Sequence, residues 1–201
     1  METLRIYNDN IAENQIEATV EVLKDGGVII LPTDTLYAIA CDALNPKAIE
    51  KVCRLKGINP EKTNLSILCN DISMVSDYAK FDNYAFKLMK ENMPGPFTFL
   101  FKASSSLPRA FKGRKIVGIR IPDNEAVRKI VEALGNPLLS TSIKFEDDDF
   151  GTNPDLIEEA YNNKIDLIIK GEEGSLQPSA IIDCIGETPE IVREGPKPLE
   201  E

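Results

Sequence analysis

The segment GGVIILPTDTLYA (26–38) constrains the fold more than any other part of the chain. Its apolar, largely β-branched run 28–31 has the length and residue types of a buried strand. Pro32 lacks a backbone donor and ends that strand. The polar residues that follow are Thr33, Asp34, Thr35 and Tyr37. Loops at strand ends bind ligands in open α/β sheets, so this is a candidate binding loop; the alternative is a turn whose hydroxyls satisfy the local backbone.

Short apolar runs alternate with amphipathic stretches along the chain, which predicts an α/β fold. The predicted strands are 3–7, 28–31, 65–69, 97–102, 116–121, 137–142, 165–169, 179–184 and 190–193. The predicted helices are 11–25, 46–56, 72–79, 82–92, 124–134 and 154–162. We expect a single domain over 1–201, in which helices flank a mixed sheet with one polar concavity, because 201 residues suffice for one substantial core.

The sequence contains no candidate targeting or membrane segment. The N-terminus lacks an apolar core of signal-peptide length, and no apolar run approaches the roughly 18 residues that a membrane span needs. These features predict a cytoplasmic protein with no membrane contact. The four cysteines are widely separated and lack CxxC spacing, which favours free thiols in the core over disulfides or a zinc site.

The chain has no histidine, which excludes several chemistries. A Ser-His-Asp or Cys-His system, a His-ligated zinc and a histidine general base cannot be built from it. Any catalysis has to use lysine, arginine, hydroxyls and backbone donors. Such groups suit acyl or phosphoryl transfer that proceeds by positioning and electrostatics.

The net charge is −10 and the sequence pI is near 4.7, which argues against a broad surface for duplex nucleic acid. Basic residues nevertheless concentrate in the middle of the chain, and most of them are expected to be solvated. The middle cluster comprises Arg54, Lys56, Lys102, Arg109, Lys112, Arg114, Lys115 and Arg120.

Arg120 is the most informative of these cations, because it interrupts an otherwise apolar strand. A buried guanidinium needs an anionic partner, and a carboxylate or phosphate ligand would serve. We therefore expect Arg120→Ala to abolish ligand binding and to leave the fold intact. The hydroxyl triplet 140–142, Ser179 and Arg193 also lie at predicted strand ends and are further candidate ligand contacts. For the triplet, the alternative is that its hydroxyls cap a helix or stabilise a turn.

Seven ordered segments carry a resemblance to a known family. They are LPTDTLYA (31–38), PGPFTFLFK (94–102), VGIRIP (117–122), PLLSTS (137–142), DLIIKG (166–171), QPSAIID (177–183) and VREG (192–195). Together they resemble the YrdC family, and within it the YciO branch. The resemblance implies a YrdC-like α/β fold whose twisted mixed sheet lines a large, positively charged cavity. It also implies synthesis of threonylcarbamoyl-adenylate from L-threonine, bicarbonate and ATP, with release of pyrophosphate, for the N6-threonylcarbamoyl modification of adenosine 37 in tRNA.

The resemblance further assigns residues to each substrate. The expected contacts of the amino acid are Thr35, Arg120, Ser140 and Ser179. Those of the nucleotide are Lys56, Ser142 and Arg193. The residue types agree with these roles, because a guanidinium pairs bidentately with a carboxylate, and cations offset phosphate charge. Mg²⁺ would arrive with ATP as co-substrate, so no protein-bound metal is expected.

The chain departs from the family pattern on the nucleotide side. The arginine of the family's Lys-x-Arg motif is missing after Lys56, so its phosphate contact is either lost or moved to Arg54. The family's Ser-Ala-Asn is replaced by Ser-Ile-Lys at 142–144, and Phe150 replaces a serine. Loss of one charge-assisted contact would weaken nucleotide binding by about 1.5–3 kcal/mol.

Two functions remain open at this point. One is a threonylcarbamoyl-AMP synthase of weak activity, and the other is a non-catalytic accessory protein that binds a nucleotide, tRNA or double-stranded RNA. RNA binding is expected only at basic residues around the cavity mouth, and it should weaken with salt and compete with ATP. These residues are Arg54, Lys56, Arg114, Lys115 and Lys144.

Overall fold

One mixed β-sheet runs through the protein, which a computed structural model describes over residues 1–143 and 151–200. Its strands are β1 (Glu2–Arg5), β2 (Ile29–Leu31), β3 (Ala38–Asp42), β4 (Leu65–Leu68), β5 (Ala79–Lys80), β6 (Phe97–Ala103), β7 (Ile116–Arg120), β8 (Leu138–Ser142), β9 (Leu167–Lys170), β10 (Ala180–Asp183) and β11 (Glu190–Arg193). Their order across the sheet is β1-β9-β2-β3-β8-β4-β7-β6-β10-β11, and β5 pairs with β6.

Helices flank this sheet. They are α1 (Glu13–Lys24), α2 (Pro46–Lys56), α3 (Ile72–Tyr78), α4 (Asn83–Asn92), α5 (Glu125–Leu134) and α6 (Pro154–Tyr161), with a 3₁₀ turn at Arg109–Phe111. Within the described residues, no helix is both long and apolar enough to cross a membrane.

The predicted α/β class, with a twisted mixed sheet between helices, is confirmed. The sequence prediction missed β3, because Ala38 and Ala40 have weak strand propensity. Pairing with β2 on one side and β8 on the other makes this segment a strand. The first strand ends at Arg5, earlier than predicted, because a tight turn with positive φ at Asn8 and Asp9 follows it.

One face of the sheet carries large apolar side chains. A single register row crosses six neighbouring strands on this face, and it consists of Cys41, Leu139, Ile67, Ile119, Phe99 and Ile182. All six residues are buried in the core, together with apolar residues of α2, α3 and α4. This face is therefore closed by helices.

The opposite face carries small side chains at the centre of the sheet. Its register row consists of Ala40, Ser140, Ser66 and Gly118 on β3, β8, β4 and β7. Helices α1 and α5 pack on residues of β2, β3 and β9, together with Leu68 and Leu138. The small central residues leave room beside those helices for a cavity.

The four cysteines are free, as predicted. Cys41, Cys53 and Cys69 are buried, and Cys184 is partly buried. Burial raises the pKa of each thiol, for Cys184 to about 12. The cysteines are thus core residues with little thiolate character at neutral pH.

Gly118→Ala tests the close packing of the small-residue row. A Cβ at this position would lie 2.3 Å from Ser66 Oγ and 3.1 Å from Thr98 Cγ2. We expect the substitution to lower the free energy of unfolding by about 1–3 kcal/mol, measured by urea denaturation, because the neighbours have to shift.

Gly186→Ala is the matched control, because only Thr188 O lies within 4 Å of the added Cβ, at 3.8 Å. Its effect should stay within about 0.5 kcal/mol. The double variant Gly118→Ala/Ser66→Ala should recover part of the loss. Equal stability of Gly118→Ala and the control would contradict the packing described here.

Candidate functional site

The small-residue face of the sheet opens into a cavity of about 450 Å³. This volume lies in the range typical of small-molecule sites. The cavity is lined by Lys56, Ile58, Thr63, Asn64, Leu65, Ser66, Leu68, Thr98, Arg120, Ser140, Thr141, Ser142, Ser179, Ile181 and Arg193. Strands β4, β6, β7, β8, β10 and β11 supply most of these residues. Lys56, Ile58, Thr63 and Asn64 come from the end of α2 and the segment after it, and Ser179 directly precedes β10.

Arg120 forms a buried ion pair at one end of the cavity. Its Nη2 donates to Asp34 Oδ1, and it also lies 3.4 Å from Thr33 Oγ1. The side chains of Arg120 and Asp34 are only 7% and 10% exposed. The sequence predicted an anionic partner for Arg120 from the ligand, but in this structure the chain itself supplies one.

The loop that carries Asp34 is fixed by a second loop, 171–175. Tyr37 is fully buried, and its hydroxyl donates to Glu172 O at 2.8 Å and accepts from Gly171 N at 3.0 Å. Ser175 N donates to Thr35 O. Burial raises the pKa of Tyr37 to about 12, so its hydroxyl keeps its proton at neutral pH. These contacts hold the loop in place before any ligand binds.

Thr35 lies just behind the cavity wall. Its hydroxyl oxygen is 3.2 Å from that of Thr33, which in turn accepts from Arg120. Thr35 is 1% exposed, so it reaches the site through this hydroxyl pair. Thr33 also donates to Leu36 O at 2.8 Å, which fixes the direction of its hydroxyl.

Arg193 and Ser179 also line the cavity and contact each other. Arg193 donates to Ser179 O through Nε at 3.0 Å and through Nη2 at 2.7 Å. The hydroxyls of Ser179 and Thr98 lie 2.8 Å apart. Burial and the nearby charge of Arg120 lower the pKa of Arg193, so an anion between the two guanidinium groups would relieve their mutual repulsion.

Lys56, the last residue of α2, also lines the cavity. Asn45 Oδ1 caps the helix start by accepting from two backbone N–H groups, and Gly57 ends the helix at φ +63°. Lys56 Nζ then donates to Ser142 O at 3.2 Å. None of the described lining residues is acidic, so this cavity favours an anionic ligand.

Arg54 does not lie at this cavity. Residues two apart on a helix point in different directions, so Arg54 and Lys56 diverge. Arg54 lines a separate, mostly apolar groove of about 730 Å³ between α2 and the 3₁₀ turn, and its Nη2 pairs with Glu50 at 2.9 Å. The interpretation of Arg54 as a replacement phosphate contact has no support in this geometry.

The structure thus brings six of the eight predicted site residues into one cavity: Lys56, Arg120, Ser140, Ser142, Ser179 and Arg193. The lining also includes Asn64, Ser66 and Thr98, which the sequence analysis did not assign. Thr33 and Asp34 of the candidate loop do not line the cavity, but both contact Arg120. The small polar residues inside apolar strands, Ser66 and Thr98, were the signal that could have revealed the cavity floor.

Of the described residues in the predicted basic cluster for RNA, Lys56 alone lines the cavity. Arg54 lines the groove described above. Arg114 donates to Lys62 O at 3.0 Å. Lys144 lies outside the described residues, as does Phe150. RNA binding at these positions stays a prediction.

Comparison with known proteins identifies the family. The model of the Sua5/YciO/YrdC domain, described as "Telomere recombination", matches residues 21–195. The chain belongs to this family. The resemblance inferred from the seven motifs is therefore confirmed.

The Escherichia coli protein YciO, described as uncharacterized, is 38% identical over 193 residues, which cover 94% of this chain and 93% of that protein. Its crystal structure matches with a TM-score of 0.91 and 36% identity, covering 100% of this chain and 98% of that one. The YciO likeness thus extends over the whole cavity.

The descriptions of two other relatives state an activity or a bound ligand. A threonylcarbamoyl-AMP synthase of Vibrio campbellii is 28% identical over 183 residues, covering 89% of this chain and 98% of that protein. P. abyssi Sua5, in a crystal structure complexed with L-threonine, matches with a TM-score of 0.88 and 25% identity, covering 97% of this chain and 58% of that one.

Arg120→Met tests the buried ion pair. The structure changes the earlier expectation that loss of Arg120 leaves the fold intact, because the substitution leaves Asp34 buried without its partner. We expect the free energy of unfolding to fall by about 3–5 kcal/mol in urea denaturation.

The double variant Asp34→Asn/Arg120→Met removes both charges and should be more stable than Arg120→Met alone. Arg54→Met is the matched control, because Arg54 and its partner Glu50 are 75% and 70% exposed. Its effect should be within about 1 kcal/mol. A loss for Arg120→Met as small as that of the control would show that the pair is not buried in solution.

Proposed function

We propose that this protein is an L-threonylcarbamoyladenylate synthase, which forms threonylcarbamoyl-AMP and pyrophosphate from L-threonine, bicarbonate and ATP. The observation that carries the proposal is the arrangement of cations in one cavity. Arg120 contacts the hydroxyl of Thr33 in the candidate loop, and Lys56 and Arg193 line the same cavity. Two family members support it, one named as a threonylcarbamoyl-AMP synthase and one complexed with L-threonine.

The amino acid fits the end of the cavity formed by Arg120. A guanidinium pairs well with a carboxylate, and Ser140 offers a hydroxyl in the same cavity for a small polar side chain. Thr33 and Thr35 form a hydroxyl pair that contacts Arg120. The amino group then combines with bicarbonate, a new N–C bond forms, and water leaves. The product is a carbamate whose oxygen acts as the next nucleophile.

The nucleotide fits the side formed by Lys56, Ser142 and Arg193. There the carbamate oxygen attacks the α-phosphorus of ATP, and pyrophosphate departs with the electron pair of the broken P–O bond. Mg²⁺ enters with ATP and offsets phosphate charge together with Lys56 and Arg193. The protein contributes positioning and positive charge, which agrees with its lack of histidine.

Weak synthase activity is expected, because the arginine of the Lys-x-Arg motif has no counterpart at this cavity. Arg54 pairs with Glu50 and lines the groove, and Ile58, which does line the cavity, carries no charge. One missing charge-assisted phosphate contact corresponds to about one to two decades in affinity.

Lys56→Ala provides a direct test. Purified protein should convert L-threonine, bicarbonate and Mg-ATP into threonylcarbamoyl-AMP, detected by mass spectrometry. The variant should bind Mg-ATP about tenfold or more weakly in calorimetry, because a cation beside the phosphates is lost. Lys47→Ala is the matched control, since Lys47 is an exposed lysine of the same helix and does not line the cavity.

If Lys56→Ala and Lys47→Ala bind ATP with equal affinity, the nucleotide does not bind beside Lys56. Wild-type protein that binds both substrates without forming product would favour the accessory function. In that case, duplex RNA titrations at several salt concentrations, with and without Mg-ATP, would test RNA as the occupant.

A further inference from the structure

The side chain of Asn92 binds the backbone of a residue that lies far away in the sequence. Asn92 is the last residue of α4 and is only 6% exposed. Its Nδ2 donates to Glu200 O at 2.7 Å and to Leu88 O at 2.8 Å, and its Oδ1 accepts from Glu200 N at 2.9 Å. Both polar backbone groups of Glu200 are thus paired with one buried amide, which fixes the chain at this point.

The segment held in this way is 194–200, which directly follows β11 and which we call the strap. A Cβ at Gly195 would lie 2.4 Å from Ala180 N, so the backbone of the strap packs directly against the start of β10. Leu199 is partly buried against the main core. The strap therefore joins the end of β11 to the end of α4 through backbone packing, one apolar side chain and the Asn92 amide.

Strand β11 depends on the strap, because it has few contacts of its own. It lies at one end of the strand order and pairs with β10 alone among the described strands. Ile191 and Val192 are 47% and 61% exposed, so the strand buries little apolar surface. A short edge strand with so little burial opens readily unless the chain beyond it is held.

The last residue of β11 is Arg193, which lines the cavity. Its guanidinium donates to Ser179 O through two nitrogens, and these bonds require the end of β11 to stay beside β10. Arg193 and Asn92 therefore act on the two ends of one short stretch of chain. Release of the strap from Asn92 would free the end of β11 and let the guanidinium leave its place in the cavity.

We propose that Asn92 is a positioning residue for the cavity: it clamps the strap and thereby holds Arg193 where an anionic ligand binds. The inference deepens the proposed function and rests on it, since Mg-ATP is the anion assigned there to Arg193. Asn92 is not among the described residues that line the cavity, so it acts through the strap. An arginine that is already held in place loses less conformational freedom when the ligand binds.

Calorimetry with Mg-ATP and L-threonine tests the proposal. Arg193→Ala should bind Mg-ATP about tenfold or more weakly, because a charge-assisted contact is lost. Asn92→Ala should bind Mg-ATP about threefold or more weakly and keep its L-threonine affinity within about twofold, whereas a general loss of structure would weaken both ligands. Asn83→Ala is the matched control, because Asn83 is an exposed residue at the start of the same helix.

The double variant Asn92→Ala/Arg193→Ala identifies the route of the effect. It should bind Mg-ATP no more weakly than Arg193→Ala alone, because Asn92 acts through Arg193. Additive losses would overturn the proposal, as would equal Mg-ATP affinities of Asn92→Ala and the control, or wild-type protein that does not bind Mg-ATP. The expected pattern of affinities without any adenylate product would reject the synthase function and leave the role of Asn92 standing.

If Asn92→Ala does not fold, amide hydrogen exchange of the wild-type protein decides the question. Glu200 N donates to Asn92 Oδ1, so exchange of this amide reports the opening of the strap. Coupling between two sites is reciprocal, so Mg-ATP should slow this exchange about threefold or more in wild-type protein and leave it unchanged in Arg193→Ala. Equal exchange rates of the wild-type amide with and without Mg-ATP would overturn the proposal.

Discussion

The difference in side-chain size between the two faces of the central sheet determines the rest of the structure. Large apolar side chains, mainly isoleucine and phenylalanine, fill one face, and helices α2, α3 and α4 pack on this face and bury them. Alanine, serine and glycine occupy the centre of the other face. Since α1 and α5 cover only one part of that face, the sheet itself becomes the floor of a binding cavity.

A charged side chain that is buried beside the cavity needs a partner of opposite charge. Arg120 is the last residue of β7 and is only 6% exposed, so its charge is largely shielded from solvent. Burial of an isolated charge is costly, and Asp34 offsets that cost before any ligand arrives. The loop of Asp34 is in turn anchored by Tyr37 to the backbone of residues 171 and 172. The binding site is thus held in position by the fold itself.

The sequence predicted the positions of most strands and helices because hydrophobic periodicity is a local property. It also identified Arg120, since a cation within an apolar strand contradicts the local pattern. The pairing with Asp34 could not be predicted, because it joins residues 86 positions apart through the sheet topology. Strand β3 was missed for a similar reason, as its alanines become a strand only through their neighbours. Arg54 lines a different groove from Lys56, because its direction depends on the helix turn and not on its proximity to Lys56 in sequence.

The distribution of charge explains how an acidic protein can hold an anionic ligand. The chain has a net charge of −10, yet the described residues that line its cavity include Lys56, Arg120 and Arg193 and no acidic residue. Asp34, which pairs with Arg120, lies outside that lining and offsets one of the three charges. Acidic residues outside the cavity repel a polyanion only at short range, because the Debye length is about 8 Å at physiological salt. Within the cavity, low-dielectric walls strengthen the local cations. A small anion that enters the cavity therefore interacts mainly with its cations, whereas a long polyanion also meets the acidic surface. This difference favours a small anion over a long polyanion in the cavity.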